Sequence, residues 1–132
     1  EEKLKEAGAK RILSLSVSGP FHTSMLKGAA KKLEKELEKI NFKEPLIPVI
    51  SNVGAKYIEI KEIKDTLKRQ VMSSVYWEQS INKMLENGID TFVELGPGKV
   101  LSGFIKKINR SVTVCNIEDM QSLEKTLDML GM

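Results

Sequence analysis

Between residues 26 and 40 the apolar side chains Leu26, Ala29, Ala30, Leu33, Leu37 and Ile40 recur at spacings of three and four, backed by lysines and glutamates. That period predicts one amphipathic helix from about Thr23 to Ile40, with the hydroxyl of Thr23 or Ser24 as its N-cap. The same spacing predicts helices over Ile60–Met72, with Ile60, Ile63, Leu67 and Val71 on one side, and over Tyr76–Glu86, stopped by Asn87-Gly88. A further helix over Lys99–Asn109 turns Val100, Leu101, Phe104, Ile105 and Ile108 inward, and a last one covers Gln121–Leu130. At the start, EEKLKEAGAK is half an amphipathic helix with only Leu4 and Ala7 as its apolar face, ended by Gly8. So short a helix is marginal without something to pack on, which points to a piece of a longer protein.

Between the helices lie shorter apolar runs. Leu46–Ser51, framed by Pro45 and Pro48, Thr91–Leu95 and Val112–Ile117 lack alternation, as strands covered on both faces should. Lys56–Glu59 adds a short hairpin-like piece. Strands alternating with helices predict βαβ crossovers and a mainly parallel sheet. Arg11–Val17 (RILSLSV) differs: its alternation is that of an antiparallel strand, the mark of a small α+β unit at the N-terminus.

Composition narrows the function classes. A chain of 132 residues, 41% hydrophobic and 30% charged, is one globular domain's worth and has no disordered signature. No apolar run reaches the length of a membrane span and no signal peptide opens the chain. The single cysteine, Cys115, excludes an internal disulfide and fits a cytoplasmic location. One His and one Cys argue against a metal site, and a net charge of +3 does not call for nucleic acid.

The lone histidine, His22, follows a Gly-Pro turn and precedes the long helix. Such a residue is ordinarily a cap or a surface group. Here the helix dipole disfavours imidazolium, and a strand-turn-helix junction is where α/β sheets place functional groups. A base needs a nucleophile to deprotonate, yet no G-x-S-x-G elbow occurs in the chain. Gly96-Pro97-Gly98-Lys99 does not meet the phosphate-loop pattern and reads as a tight strand-to-helix turn with close backbone approach. Cys115 reads as a small buried hydrophobe, and Tyr76 and Trp77 as anchors of their helix.

SGPFHTSML, PVISN, LKRQV, VYWEQSI and ELGPGKVLSGFIKKI occur in that order over essentially the whole chain. Together they resemble the C-terminal portion of the bacterial malonyl-CoA:acyl-carrier-protein transacylase family. The resemblance implies a three-layer α/β/α acyltransferase domain over residues 18–132, with residues 1–17 the remnant of a small ferredoxin-like subdomain. It implies transfer of malonyl from coenzyme A to the phosphopantetheine thiol of acyl carrier protein through a malonyl-serine, with no cofactor. His22 matches the general base, and the main-chain carbonyl of Gln70 matches the group that receives its Nδ1–H. Phe21 matches a position lining the acyl pocket. Lys99, Lys106, Lys107 and Arg110, on one helix without acids among them, suit docking of an acidic carrier protein.

The serine elbow, the malonate-binding arginine and the oxyanion-hole amides of that family lie upstream of the matched portion, so the partners implied include the remaining N-terminal part of the same enzyme. The chain alone is expected to be inactive. The alternatives are a polyketide-type acyltransferase, a malonate decarboxylase transacylase, or a non-catalytic module that binds carrier protein or coenzyme A.

Overall fold

A computed structural model describes residues 1–14 and 17–132. In chain order the elements are α1 (Glu2–Glu6), α2 (Lys27–Glu38), β1 (Ile50–Ser51), β2 (Lys56–Tyr57), α3 (Ile63–Gln70), α4 (Trp77–Glu86), β3 (Thr91–Leu95), α5 (Val100–Ile108), β4 (Thr113–Ile117) and α6 (Met120–Leu130). Short 3-10 turns, Ser24–Leu26 and Ile60–Glu62, lead into α2 and α3.

The strands β3 and β4 pair in parallel, from Thr91 opposite Thr113 to Leu95 opposite Ile117, and α5 is the crossover that parallel pairing requires. Phe92 and Val114 share one face and pack with Ile81 of α4, Ile105 of α5 and Val112. On the opposite face Cys115 is buried against Met129 of α6, Sγ to Sδ at 3.4 Å. Helices therefore flank this sheet on both sides, the α/β/α layering expected. Coverage is incomplete: Val93 is exposed and Leu95 is 77% exposed, because α6 covers β4 and not the neighbouring positions of β3.

The second unit is an antiparallel pair, Ile50 opposite Tyr57 and Ser51 opposite Lys56, so the hairpin-like reading of Lys56–Glu59 holds for its first two residues. The buried strand expected over Leu46–Ser51 shrinks to Ile50–Ser51. Leu46 and Ile47 lie in solvent, since a two-residue partner leaves them no ladder to join. Helices α2 and α3 pack beside this pair and run antiparallel. Lys68 Nζ donates to Glu34 Oε1 at 2.8 Å, and one turn on in α2 but one turn back in α3 Lys64 Nζ donates to the Glu38 carbonyl at 3.3 Å. The Lys68 ammonium is held above its ordinary pKa, first by Glu34 and then by Asp65.

Other expectations change in detail. The first turn of the long helix is 3-10, and Ile40 falls beyond its end, exposed. Of the α5 residues expected to face inward, Ile105 is buried and Ile108 half-buried, whereas Val100, Leu101 and Phe104 are exposed. Trp77 packs on the core but Tyr76 is exposed, so the anchor is the tryptophan alone. Gly8 follows α1 at φ +85°, a left-handed C-terminal position. Residues 11–14 form no strand, and Leu15 and Ser16 of the predicted Arg11–Val17 strand lie outside the described residues. Among the described residues no helix is long and apolar enough to cross a membrane.

The Gly-Pro-Gly turn also differs from its expected cause. Gly96 and Gly98 have φ of +132° and +84°, and a Cβ added at either would meet nothing within 4 Å. Backbone conformation, not close approach, calls for glycine here.

Candidate functional site

The Thr23 hydroxyl donates to the Pro20 carbonyl at 2.8 Å and accepts the Met25 N–H at 3.3 Å, closing a turn ahead of α2. His22 rides on that turn at φ +58°, a left-handed conformation that costs a non-glycine residue about 1–2 kcal/mol. Strain of this kind persists where surrounding contacts hold it, and it clusters at functional sites. The contact here is long-range: His22 Nδ1 lies 3.0 Å from the main-chain oxygen of Gln70.

Gln70 is the last residue of α3, and the final carbonyls of a helix have no partner within it. Its oxygen is thus free to accept, and the antiparallel packing of α3 on α2 carries it to the start of α2. A carbonyl oxygen only accepts, so Nδ1 donates and Nε2 becomes the nitrogen left to take a proton. His22 itself is exposed.

Two residues that the sequence reading left without roles complete this arrangement. Ser51, 2% exposed, accepts the Gln70 side-chain N–H and the Val53 N–H, each at 3.0 Å. Asn52 Nδ2 reaches the carbonyls of Gln70 and Ser73 at 3.4 Å and of Ser74 at 3.5 Å. Both belong to the PVISN motif. The signal was on view, but two polar residues after an apolar run name no partner until the fold supplies one.

Phe21 is 61% exposed beside His22, its ring passing near Gly19. The basic group is less uniform than expected. Lys99 precedes the first residue of α5, Lys106 and Lys107 lie in its last turn, and Arg110 follows the helix. Lys106 Nζ donates to the Val112 and Arg110 carbonyls, closing the helix end, and Lys107 stands 5.8 Å from the centre of the Phe104 ring. Lys99, Lys107 and Arg110 have no such carbonyl contacts among the described residues.

At the other end of α5 the carboxylate of Glu94 accepts the Leu101 and Ser102 N–H groups at 3.2 and 2.8 Å and the Ser102 hydroxyl at 2.6 Å. Glu118 accepts the Gly98 N–H at 2.9 Å, and Asn116 Nδ2 donates to the Gly96 and Gly98 carbonyls at 3.2 and 2.7 Å. The amides that would attract a phosphate are already occupied by the chain's own carboxylates, which agrees with reading the turn as structural. The bonds from Ser102, then that from Leu101, hold the Glu94 carboxyl below its ordinary pKa. A lowered folded value means stabilisation that is complete above about pH 5 and fades as pH falls through that lowered value. Urea midpoints from pH 6 to pH 3 are expected to fall less steeply in Glu94→Gln than in the parent.

No family model matches the chain. It is 45% identical over 130 residues to the malonyl CoA-acyl carrier protein transacylase of Bacillus subtilis, covering 98% of this chain and 41% of that protein. The Staphylococcus aureus (strain COL) transacylase is 40% identical over 124 residues, covering 93% and 40%. Among solved structures, a Clostridium perfringens malonyl CoA-acyl carrier protein transacylase superposes with TM-score 0.89 at 51% identity, covering 98% of this chain and 41% of that one. The Streptococcus pneumoniae MCAT structure superposes with TM-score 0.90 at 44% identity, covering 97% and 42%. A further neighbour, TM-score 0.87 at 37% identity over 97% of this chain and 42% of that one, is a malonyl-transacylase in complex with a type II polyketide acyl-carrier protein. By fold and sequence this is an acyltransferase-type α/β unit. It is similar over nearly its whole length to malonyl CoA-acyl carrier protein transacylases, and spans about two-fifths of the length of the relatives it matches.

Proposed function

We propose that this chain supplies the general base of a malonyl-CoA:acyl-carrier-protein transacylase whose nucleophilic serine lies on polypeptide outside these 132 residues. The observation that carries the reading is the 3.0 Å contact between His22 Nδ1 and the Gln70 carbonyl. It orients the ring and makes Nε2 the nitrogen that accepts a proton. Nε2 takes the serine proton as Oγ attacks the malonyl thioester, then gives it to the departing thiolate of coenzyme A. In the second half the carrier-protein thiol attacks the malonyl-serine ester, Nε2 takes the thiol proton, and the serine oxygen recovers it on leaving.

Phe21, exposed beside His22, is proposed to border the acyl group. Lys99, Lys107 and Arg110 are proposed to meet the acidic carrier protein, with Lys106 adding charge while it closes α5. Rim contacts of this kind act mainly on the rate and orientation of encounter. The structural neighbour solved with its carrier protein supports that partner class.

The test is transfer of radiolabelled malonyl from coenzyme A to holo-acyl carrier protein. The chain alone is expected to give no transfer above the uncatalysed rate, because without the serine no ester forms. The whole polypeptide containing it is expected to turn over. Transfer by the isolated chain, or none by the whole polypeptide, would overturn the reading.

A further inference from the structure

We infer that Ser51 and Asn52 form a positioning device that aims the Gln70 carbonyl at His22 and so selects the histidine tautomer. This deepens the proposed function and rests on His22 acting as its base. The carbonyl belongs to the terminal residue of α3, and helix ends fray unless something holds them.

Here the holding comes from two sides. The Gln70 side chain reaches across to β1, where Nε2 donates to the buried Ser51 hydroxyl at 3.0 Å, so the residue is anchored away from its own main chain. Val53 N–H, also bonded to that hydroxyl, fixes the acceptor in turn. From the other side the Asn52 carboxamide shares its two N–H groups among the Gln70, Ser73 and Ser74 carbonyls. It thereby ties the helix end to the segment that follows. The Tyr76 N–H, donating to the Asn52 carbonyl at 3.3 Å, closes the loop back onto Asn52.

A carbonyl oxygen has two lone pairs. The Gln70 oxygen accepts from Asn52 Nδ2 at 3.4 Å and from His22 Nδ1 at 3.0 Å, so both directions are used and no competing donor is needed. This accounts for the glutamine side chain at a position whose contribution to His22 is a main-chain oxygen. It also accounts for the adjacent pair: Ser51, the last residue of β1, meets the Gln70 side-chain amide, and Asn52, in the turn that follows, meets the Gln70 carbonyl.

The protein has a single histidine, so the ring-nitrogen NMR spectrum of uniformly 15N-labelled protein reports His22 without assignment. Above the range in which the ring is protonated, the parent is expected to show predominantly the Nδ1–H tautomer. Ser51→Ala and Asn52→Ala are each expected to lower the ratio of Nδ1–H to Nε2–H about fivefold, the consequence of losing one ordinary hydrogen bond. Ser51→Thr, which keeps the hydroxyl, is expected to restore it. Parent-like ratios in both alanine variants would refute the positioning role while leaving the base intact. A parent already dominated by Nε2–H would refute the base reading and this inference with it. Should circular dichroism show Ser51→Ala unfolded, the half-buried Asn52→Ala decides the matter by the same ratio.

Discussion

In a polypeptide that joins this chain to the serine-bearing part proposed above, His22→Gly is expected to lower kcat/KM for malonyl transfer by about 10²- to 10⁴-fold, the usual contribution of a positioned general base. Stability moves little. Glycine adopts φ +58° without the cost the imidazole-bearing residue carries, which offsets the lost bond to Gln70, so the unfolding free energy stays within about 1 kcal/mol of the parent. Alanine at the same position loses the bond and keeps the strain, and is expected to be the less stable of the two. This separation of activity from stability distinguishes a functional residue from a capping one. If His22→Gly lost stability in step with activity, the ring would be a structural part of the turn and the proton-transfer role would fall.

The second large effect concerns the core. Ile81 of α4 is 1% exposed and packs with Phe92, Ile105 and Val112, the point where two helices and the parallel pair meet. Ile81→Ala is expected to cost about 2–5 kcal/mol, the removed methyl groups and the cavity left behind both contributing. Urea denaturation reads this as a lower midpoint with an unchanged slope. A cost below about 1 kcal/mol would mean that α4 does not unfold together with the sheet it covers. The chain leaves Leu95, Val100 and Phe104 exposed beside this core, so its stability rests on few buried side chains, and Ile81 is the most enclosed of them.

Much of the fold was legible because local physics decides it. Periods of three and four mark α2 through α6, Thr23 caps the entry to α2, and glycines at positive φ end α1, α4 and α6. The last helix even shows a full capping box, the Asp119 carboxylate on the Ser122 N–H and the Ser122 hydroxyl on the Asp119 N–H. Those same local bonds to Ser122 hold the Asp119 carboxyl below its ordinary pKa. Reading burial from the same pattern succeeded less well. Leu46 and Ile47 are as apolar as Ile50, but a strand forms only where another strand is there to pair with it.

The site divides along the same line. Residues alone placed an imidazole at a turn before a helix and raised a base without a nucleophile. The link to Gln70 came from the family resemblance, and the roles of Ser51, Asn52 and Glu94 from the structure.

By itself the sequence determined which segments are helical and how several of them are capped, since caps, turns and side-chain periods act over a few residues. Tertiary structure alone decided which apolar faces are covered, that α3 ends at the start of α2, and hence that His22 meets a carbonyl 48 residues away. The reason is that such contacts depend on how whole elements pack, and no short window of sequence holds both partners.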